Sequence, residues 1–227
     1  MLKPDYNVAR NREKVNINYL NIDNEIQKVY ENKKYFLKTY GCQMNVHDSE
    51  AIASFLERLG FSKTNELDDA DVVVLNTCAI RENAHDKVFG YLGRCKHLKN
   101  TKKDLIIVLM GCMAGQVDVV EDIEKNHKYV DIVIGPNNIF DLPKLLLEKL
   151  DKQNIFVQSN SDVVPENIIY KRDSNISAWV NVMFGCDKFC TYCIVPFTRG
   201  RERSRKMEAI IEECKCLVQN GYKEITL

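Results

Sequence analysis

The sequence predicts an α/β fold, a parallel sheet with helices on both faces. Three observations point there. Short apolar runs rich in β-branched residues read as strands buried on both sides, amphipathic stretches separate consecutive runs, and glycine or proline marks several of the places where one pattern gives way to the next.

Residues 1–33 are polar, rich in Asn, Glu and Lys, and read as a weakly ordered extension with one helix near Asp23 to Glu31. From Lys34 the texture changes. Residues 35–40 (YFLKTY) read as a strand, and His47 to Leu59 as a helix with Asn45 as N-cap and Gly60 as its stop. Val72 to Leu75 is a second strand, Glu82 to Leu98 a helix, Leu105 to Leu109 a third strand and Val117 to Lys125 a helix. Ile132 to Ile134 is a fourth strand closed by Gly135-Pro136, and Ile139 to Leu150 a helix interrupted early by Pro143. This β-α alternation is that of a flavodoxin-like or doubly wound domain over residues 34–150. Residues 151–175 read as a linker with a short strand at Ile155 to Val157. A strand over 178–183 (AWVNVM), a cysteine-rich loop, a helix from Lys206 to Gln219 and strand residues Glu224 to Leu227 then form a β-loop-α-β unit. Residues 176–227 are therefore expected to open a larger barrel that the chain does not complete.

The chain has 227 residues, enough for one large domain or one domain and part of another, and 45% of them are hydrophobic, enough for a core. Thirty-two basic residues balance 32 acidic ones, so any nucleic-acid surface is local. No signal-peptide pattern and no run of about 18 apolar residues occurs, which makes the cytoplasm the expected location. In that setting nine cysteines argue against a disulfide framework and for metal or redox chemistry.

Six of the cysteines fall into two sets. Cys186, Cys190 and Cys193 form a C-x3-C-x2-C loop after a strand and before a helix. Three thiolates in so short a span can wrap one iron–sulfur cluster and leave a fourth iron open to chelate a small molecule. The alternative is a zinc site or free loop thiols, but a structural zinc site wants four ligands and no fourth Cys or His sits nearby. Cys42, Cys78 and Cys112 are spaced by roughly one βα unit, each just after a predicted strand. In a parallel sheet all strand C-termini lie at one edge, where such folds bind ligands, so three successive strand ends bring these thiols together. Gly41 and Gly111 precede two of them, where the backbone turns tightly or approaches a cofactor. The alternative is three buried small hydrophobes. Cys95, Cys214 and Cys216 read as structural, and no histidine has metal-type spacing to another.

Arg199, Arg201, Arg203 and Arg205 alternate beside the cysteine loop and would share one side of an extended segment, suited to phosphate. A solvated surface loop is the alternative.

Five separated stretches resemble one family: KTYGCQMNVHDSE over 38–50, NTCAIRENA over 76–84, GCMA over 111–114, YCIVP over 192–196, and RGRERSR over 199–205. They resemble the methylthiotransferases of the radical S-adenosylmethionine superfamily, most closely the MiaB type that acts on N6-isopentenyladenosine beside the tRNA anticodon. The resemblance covers residues 34–227. It implies a methylthiotransferase α/β domain, a radical S-adenosylmethionine (β/α) barrel and an RNA-binding β-domain, of which this sequence carries the first and the opening of the second. It implies two 4Fe–4S clusters, one on Cys186, Cys190 and Cys193 and one on Cys42, Cys78 and Cys112. The first binds S-adenosyl-L-methionine and generates a 5′-deoxyadenosyl radical that attacks C2 of the adenine. The second supplies the sulfur, and Tyr192 packs near the cofactor adenine. The implied partners are tRNA carrying N6-isopentenyladenosine at position 37 and an electron donor such as flavodoxin or ferredoxin, with no membrane. Gly115 departs from the family, which usually has Gln or another polar residue there.

Two sister branches compete. One modifies a ribosomal-protein aspartate and usually has a Pro-Lys-Asn-type sequence after the first cysteine. The other modifies threonylcarbamoyl-adenosine and usually has Lys-Val-Asn there. Gln43-Met44-Asn45 favours the isopentenyladenosine branch. A third alternative is a non-catalytic iron–sulfur-binding module.

Overall fold

A computed structural model describes residues 16–22, 26–78, 82–149, 155–157 and 162–227 of the chain. After β1 (Asn18–Asn21) come β2 (Lys34–Thr39), α1 (Gln43–Arg58), β3 (Ser62–Lys63), β4 (Val72–Thr77), α2 (Glu82–Thr101) and β5 (Ile106–Gly111). Then follow α3 (Val117–Asn126), β6 (Ile132–Ile134), α4 (Leu142–Lys149) and β7 (Ile155–Val157). The expected sheet is present, with six parallel strands in the order β3-β2-β4-β5-β6-β7. Its first five strands follow the flavodoxin-like order, in which the connection reverses direction between β2 and β4.

The β-branched runs form the centre because both faces are covered. Every residue of β4 is buried. On one face Ile52, Phe55 and Leu56 of α1 and Leu142, Leu145 and Leu146 of α4 pack on Tyr35, Val74, Val108 and Ile134. On the other, Val88 and Leu92 of α2 and Val119 and Ile123 of α3 pack on Phe36, Val73, Leu75, Ile107 and Val133. Each fully buried side chain of this size contributes about 1.5–3 kcal/mol. Helix α1 ends as the sequence indicates. Gly60 takes φ +104°, its N–H bonds the Glu57 carbonyl, and the Phe61 N–H bonds that of Leu56.

The rest of the chain forms β8 (Val163–Glu166), β9 (Ser177–Trp179), β10 (Met183–Phe184), α5 (Val195–Thr198), β11 (Arg203–Ser204), α6 (Met207–Gln219) and β12 (Glu224–Thr226). Strands β9 and β12 are parallel and joined through α6, with Ala178, Val180 and Leu217 between them. Strands β10 and β11 pair antiparallel around the cysteine loop.

The structure departs from the sequence reading in several places, beginning with β3 and β8, which no sequence pattern announced. The polar extension contributes β1, which pairs in parallel with β8, and the reading of the preceding residues 1–15 lies outside the described residues. No helix covers 26–31; residues 26–30 have no regular structure, Ile26 packs against the core, and 23–25 lie outside the described residues. The strand expected over 178–183 splits into β9 and β10, because the chain leaves the pairing with β12 after Trp179 and joins β11 from Met183. Asn45 is no N-cap: Cys42 holds that position, and Asn45 lies inside α1.

Candidate metal centres

The register of the sheet places the first cysteine set. Thr39 lies opposite Asn76, and Thr77 opposite Gly111. Carried one or two residues further, Gly41 reaches the level of Cys78, and Cys78 that of Cys112. A Cβ built on Gly41 would stand 3.0 Å from the Cys78 Cβ. The three cysteines thus share the carboxyl edge of the sheet, and the first two flank its topological switch point, where α/β folds bind ligands. Cys42 is exposed at the N-terminus of α1, while Cys78 and Cys112 are buried.

A buried amide network holds this edge. Asn45 Nδ2 donates to Asn76 Oδ1 at 3.2 Å and to the Thr77 carbonyl at 3.1 Å, while Asn76 Nδ2 donates to the Asn45 carbonyl at 2.8 Å and Ser49 Oγ at 2.9 Å. Gly111 is obligatory beside it. At φ +94° an added Cβ would lie 2.4 Å from Asn76 Oδ1 and 2.6 Å from the Thr77 carbonyl oxygen. Burial pushes the Cys112 thiol up; the Arg199 guanidinium beside it acts in the opposite direction.

The second set lies on a loop closed by the arginine stretch. The Cys186 N–H donates to the Gly200 carbonyl at 3.1 Å, and the Cys193 N–H to that of Cys190 at 2.9 Å. Gly185 takes φ +71°, and a Cβ there would stand 2.1 Å from the Arg201 carbonyl oxygen. Arg201 pairs with Asp187 at 2.9 Å and covers the Phe189 ring. Cys190 is exposed, Cys186 and Cys193 are half-buried, and Tyr192 between them is 90% exposed.

The arginines do not line one exposed face. Arg199, Arg203 and Arg205 turn inward, because carboxylates and carbonyls from elsewhere in the chain receive them. Arg199 meets Asp48 at 2.6 Å, and Arg203 donates to Asn137 at 2.9 Å and to the Arg199 carbonyl at 3.2 Å. Arg205 pairs with Glu166 at 2.8 Å and Glu213 at 2.7 Å. These contacts tie the cysteine loop and α6 to the rest of the chain, so the side chains do not form the single extended row that their alternation suggests.

Sequence reasoning missed the polar first half of α1. His47, Asp48 and Glu50 are buried because the C-terminal unit covers them. The His47 ring stacks on Tyr170 at 4.4 Å, with Nδ1 3.3 Å from Glu50. Arg172 binds Glu50 at 2.8 Å and Glu213 of α6 at 3.0 Å. The signal was present: Asn45, Asp48 and Ser49 fall on the helical face that continues into Ile52.

A cleft of about 450 Å³ opens beside Cys42, walled by Met44 and His47 of α1, by Trp179 at the C-terminal end of β9, by Asn181 just after it and by Met183 of β10. Among the described residues, no three His, Cys, Asp or Glu side chains converge tightly enough to share one ion. The donor chemistry fits a cluster better than an ion. Thiolates are its natural ligands, and each binds a separate iron, which allows wider spacing. Cys95, in contrast, lies in the core with its thiol pushed up to about 11 by burial. Within the described residues no helix is long and apolar enough to cross a membrane.

Residues 34–135 match the family model described as "Uncharacterized protein family UPF0004". The chain is also similar to three proteins named tRNA-2-methylthio-N(6)-dimethylallyladenosine synthase. That of Bacillus velezensis is 49% identical over 100% of this chain and 45% of the relative. That of Bacillus pumilus is 50% identical over 96% and 43%. That of Staphylococcus saprophyticus is 49% identical over 99% and 45%. The chain spans a little under half the length of these relatives.

Proposed function

We propose, from the premise that residues 34–135 belong to the uncharacterized protein family UPF0004 and that the chain is 49% identical to tRNA-2-methylthio-N(6)-dimethylallyladenosine synthases, that it is the cluster-bearing part of such a synthase. The reaction is methylthiolation at C2 of N6-isopentenyladenosine at tRNA position 37, by a radical S-adenosylmethionine mechanism in the cytoplasm. The observation that carries the reading is the sheet register, which brings Gly41 level with Cys78 and Cys78 level with Cys112 at the switch point.

Cys42, Cys78 and Cys112 hold one 4Fe–4S cluster, and Cys186, Cys190 and Cys193 the other. When bound, these groups supply an electron for reductive cleavage of S-adenosylmethionine and a sulfur for transfer. The chain's own residues bind and orient. Gly111 lets its strand end lie close against Asn76 and Thr77, the Asn45–Asn76 network fixes the edge, and Cys42 stands at the N-terminus of α1. Met44, Trp179 and Met183 give the cleft apolar walls against which a flat purine can stack and from which water is displaced. Tyr192 stands clear of the loop, free to cover an adenine. A flavodoxin or ferredoxin delivers the electron.

The test uses a polypeptide of the relatives' full length that contains these residues, with reductant, S-adenosylmethionine and isopentenylated tRNA. Cys186→Ala abolishes both 5′-deoxyadenosine and the methylthiolated nucleoside. Cys42→Ala keeps the first and loses the second. If Cys42→Ala still methylthiolates, the division of labour is wrong. This chain by itself is expected to yield no methylthiolated nucleoside, since a barrel site is assembled from loops at several strand ends.

A further inference from the structure

Arg199 belongs by sequence to the radical loop, six residues past Cys193, yet its side chain lies in the other domain. Its guanidinium is 7% exposed and meets the Asp48 carboxylate, on α1, at 2.6 Å. The charge of the same group acts on the buried Cys112 thiol, which follows β5 at the same sheet edge. The backbone approach agrees. Thr198, the last residue of α5, presses on the turn that follows Cys112, and a Cβ on Gly115 would stand 3.3 Å from the Thr198 carbonyl oxygen and 3.1 Å from Pro136 Cδ. This gives Gly115 a reason: a larger residue would push α5 back from the turn. Asp48 fixes the guanidinium through Nη2, and a guanidinium carries further N–H donors.

We propose that Arg199 is a positioning residue for the Cys42/Cys78/Cys112 site, donating a charge-assisted hydrogen bond to the Cys112 sulfur and thereby setting the electron affinity of the cluster held there. The inference rests on the two-cluster reading above. Its physics is general. A donor and a positive charge at a ligand sulfur stabilise the more negative, reduced state, so they raise the reduction potential. Such a bond also makes the potential of the first site depend on how the radical loop is seated, because its donor belongs to that loop.

The experiment isolates the first site in the full chain by replacing Cys186, Cys190 and Cys193 with Ala, then reconstitutes anaerobically and measures iron and the midpoint potential by EPR-monitored titration. Absence of iron from this parent would overturn the two-cluster reading and the inference with it. With iron present, Arg199→Gln is expected to move the potential to more negative values, and Arg199→Lys, which keeps the charge, to fall between. Loss of iron from Arg199→Gln with retention in Arg199→Lys also supports the bond. Unchanged potentials in both variants, or loss of iron from both alike, would mark Arg199 as a packing residue only and overturn the inference while leaving the two-cluster reading intact.

Discussion

At the scale of single residues, the glycine before the third cysteine carries the most constraint. At Gly111 φ is +94°, and an added Cβ would lie 2.4 Å from Asn76 Oδ1 and 2.6 Å from the Thr77 carbonyl oxygen, so the backbone itself would have to shift to make room. Gly111→Ala is expected to cost at least about 2–3 kcal/mol. Gly90→Ala on the exposed side of α2, where nothing lies within 4 Å of the new Cβ, should instead stabilise by roughly 0.5–1 kcal/mol. Urea midpoints of the two variants check this, and equal midpoints would remove the argument that the edge is built around Gly111. The importance of Gly41 and Gly111 was legible in the sequence because each immediately precedes a cysteine at a strand end. The partners of the arginines were not. Asp48 and Arg199 stand far apart in the chain, and alternation at 199, 201, 203 and 205 looks the same whether the side chains meet water or buried carboxylates.

At the scale of elements, the strands of the main sheet were legible because burial on both faces demands runs such as Val72 to Leu75. Strands β1 and β8 were not, since they pair across more than a hundred residues with no periodic signal in either. The element most altered by its surroundings is α1, whose polar first half is covered by the C-terminal unit. Burial alone pushes the Glu50 carboxyl up, but the hydrogen bond to His47 and the Arg172 charge more than offset it and hold it below its ordinary value of 4.5. A carboxyl lowered in the folded state contributes stability that is full above its unfolded value and is lost as pH falls through the folded one. Glu50→Gln should therefore cost about 1–3 kcal/mol near neutrality and progressively less below pH 4.5. Urea unfolding across pH would show the two proteins converging in acid. A gap independent of pH would mean that the Glu50 charge is not what holds α1 to Arg172.

At the scale of the whole molecule, two chemically similar cysteine sets are built in different ways. One is gathered by tertiary structure, from three strand ends of a parallel sheet; the other is local, a loop closed by its own backbone and by Arg201 and Asp187. The buried pairs Arg172–Glu50, Arg172–Glu213 and Arg199–Asp48 join the units that carry them, and the cleft at Cys42 lies between α1 and the end of β9. The central claim is that these are two separate iron–sulfur sites. Iron and sulfide content after anaerobic reconstitution tests it most directly. The chain should bind about eight of each, and either Cys42→Ala/Cys78→Ala/Cys112→Ala or Cys186→Ala/Cys190→Ala/Cys193→Ala should leave about four. Full iron retained in the first of these triple variants would contradict the claim.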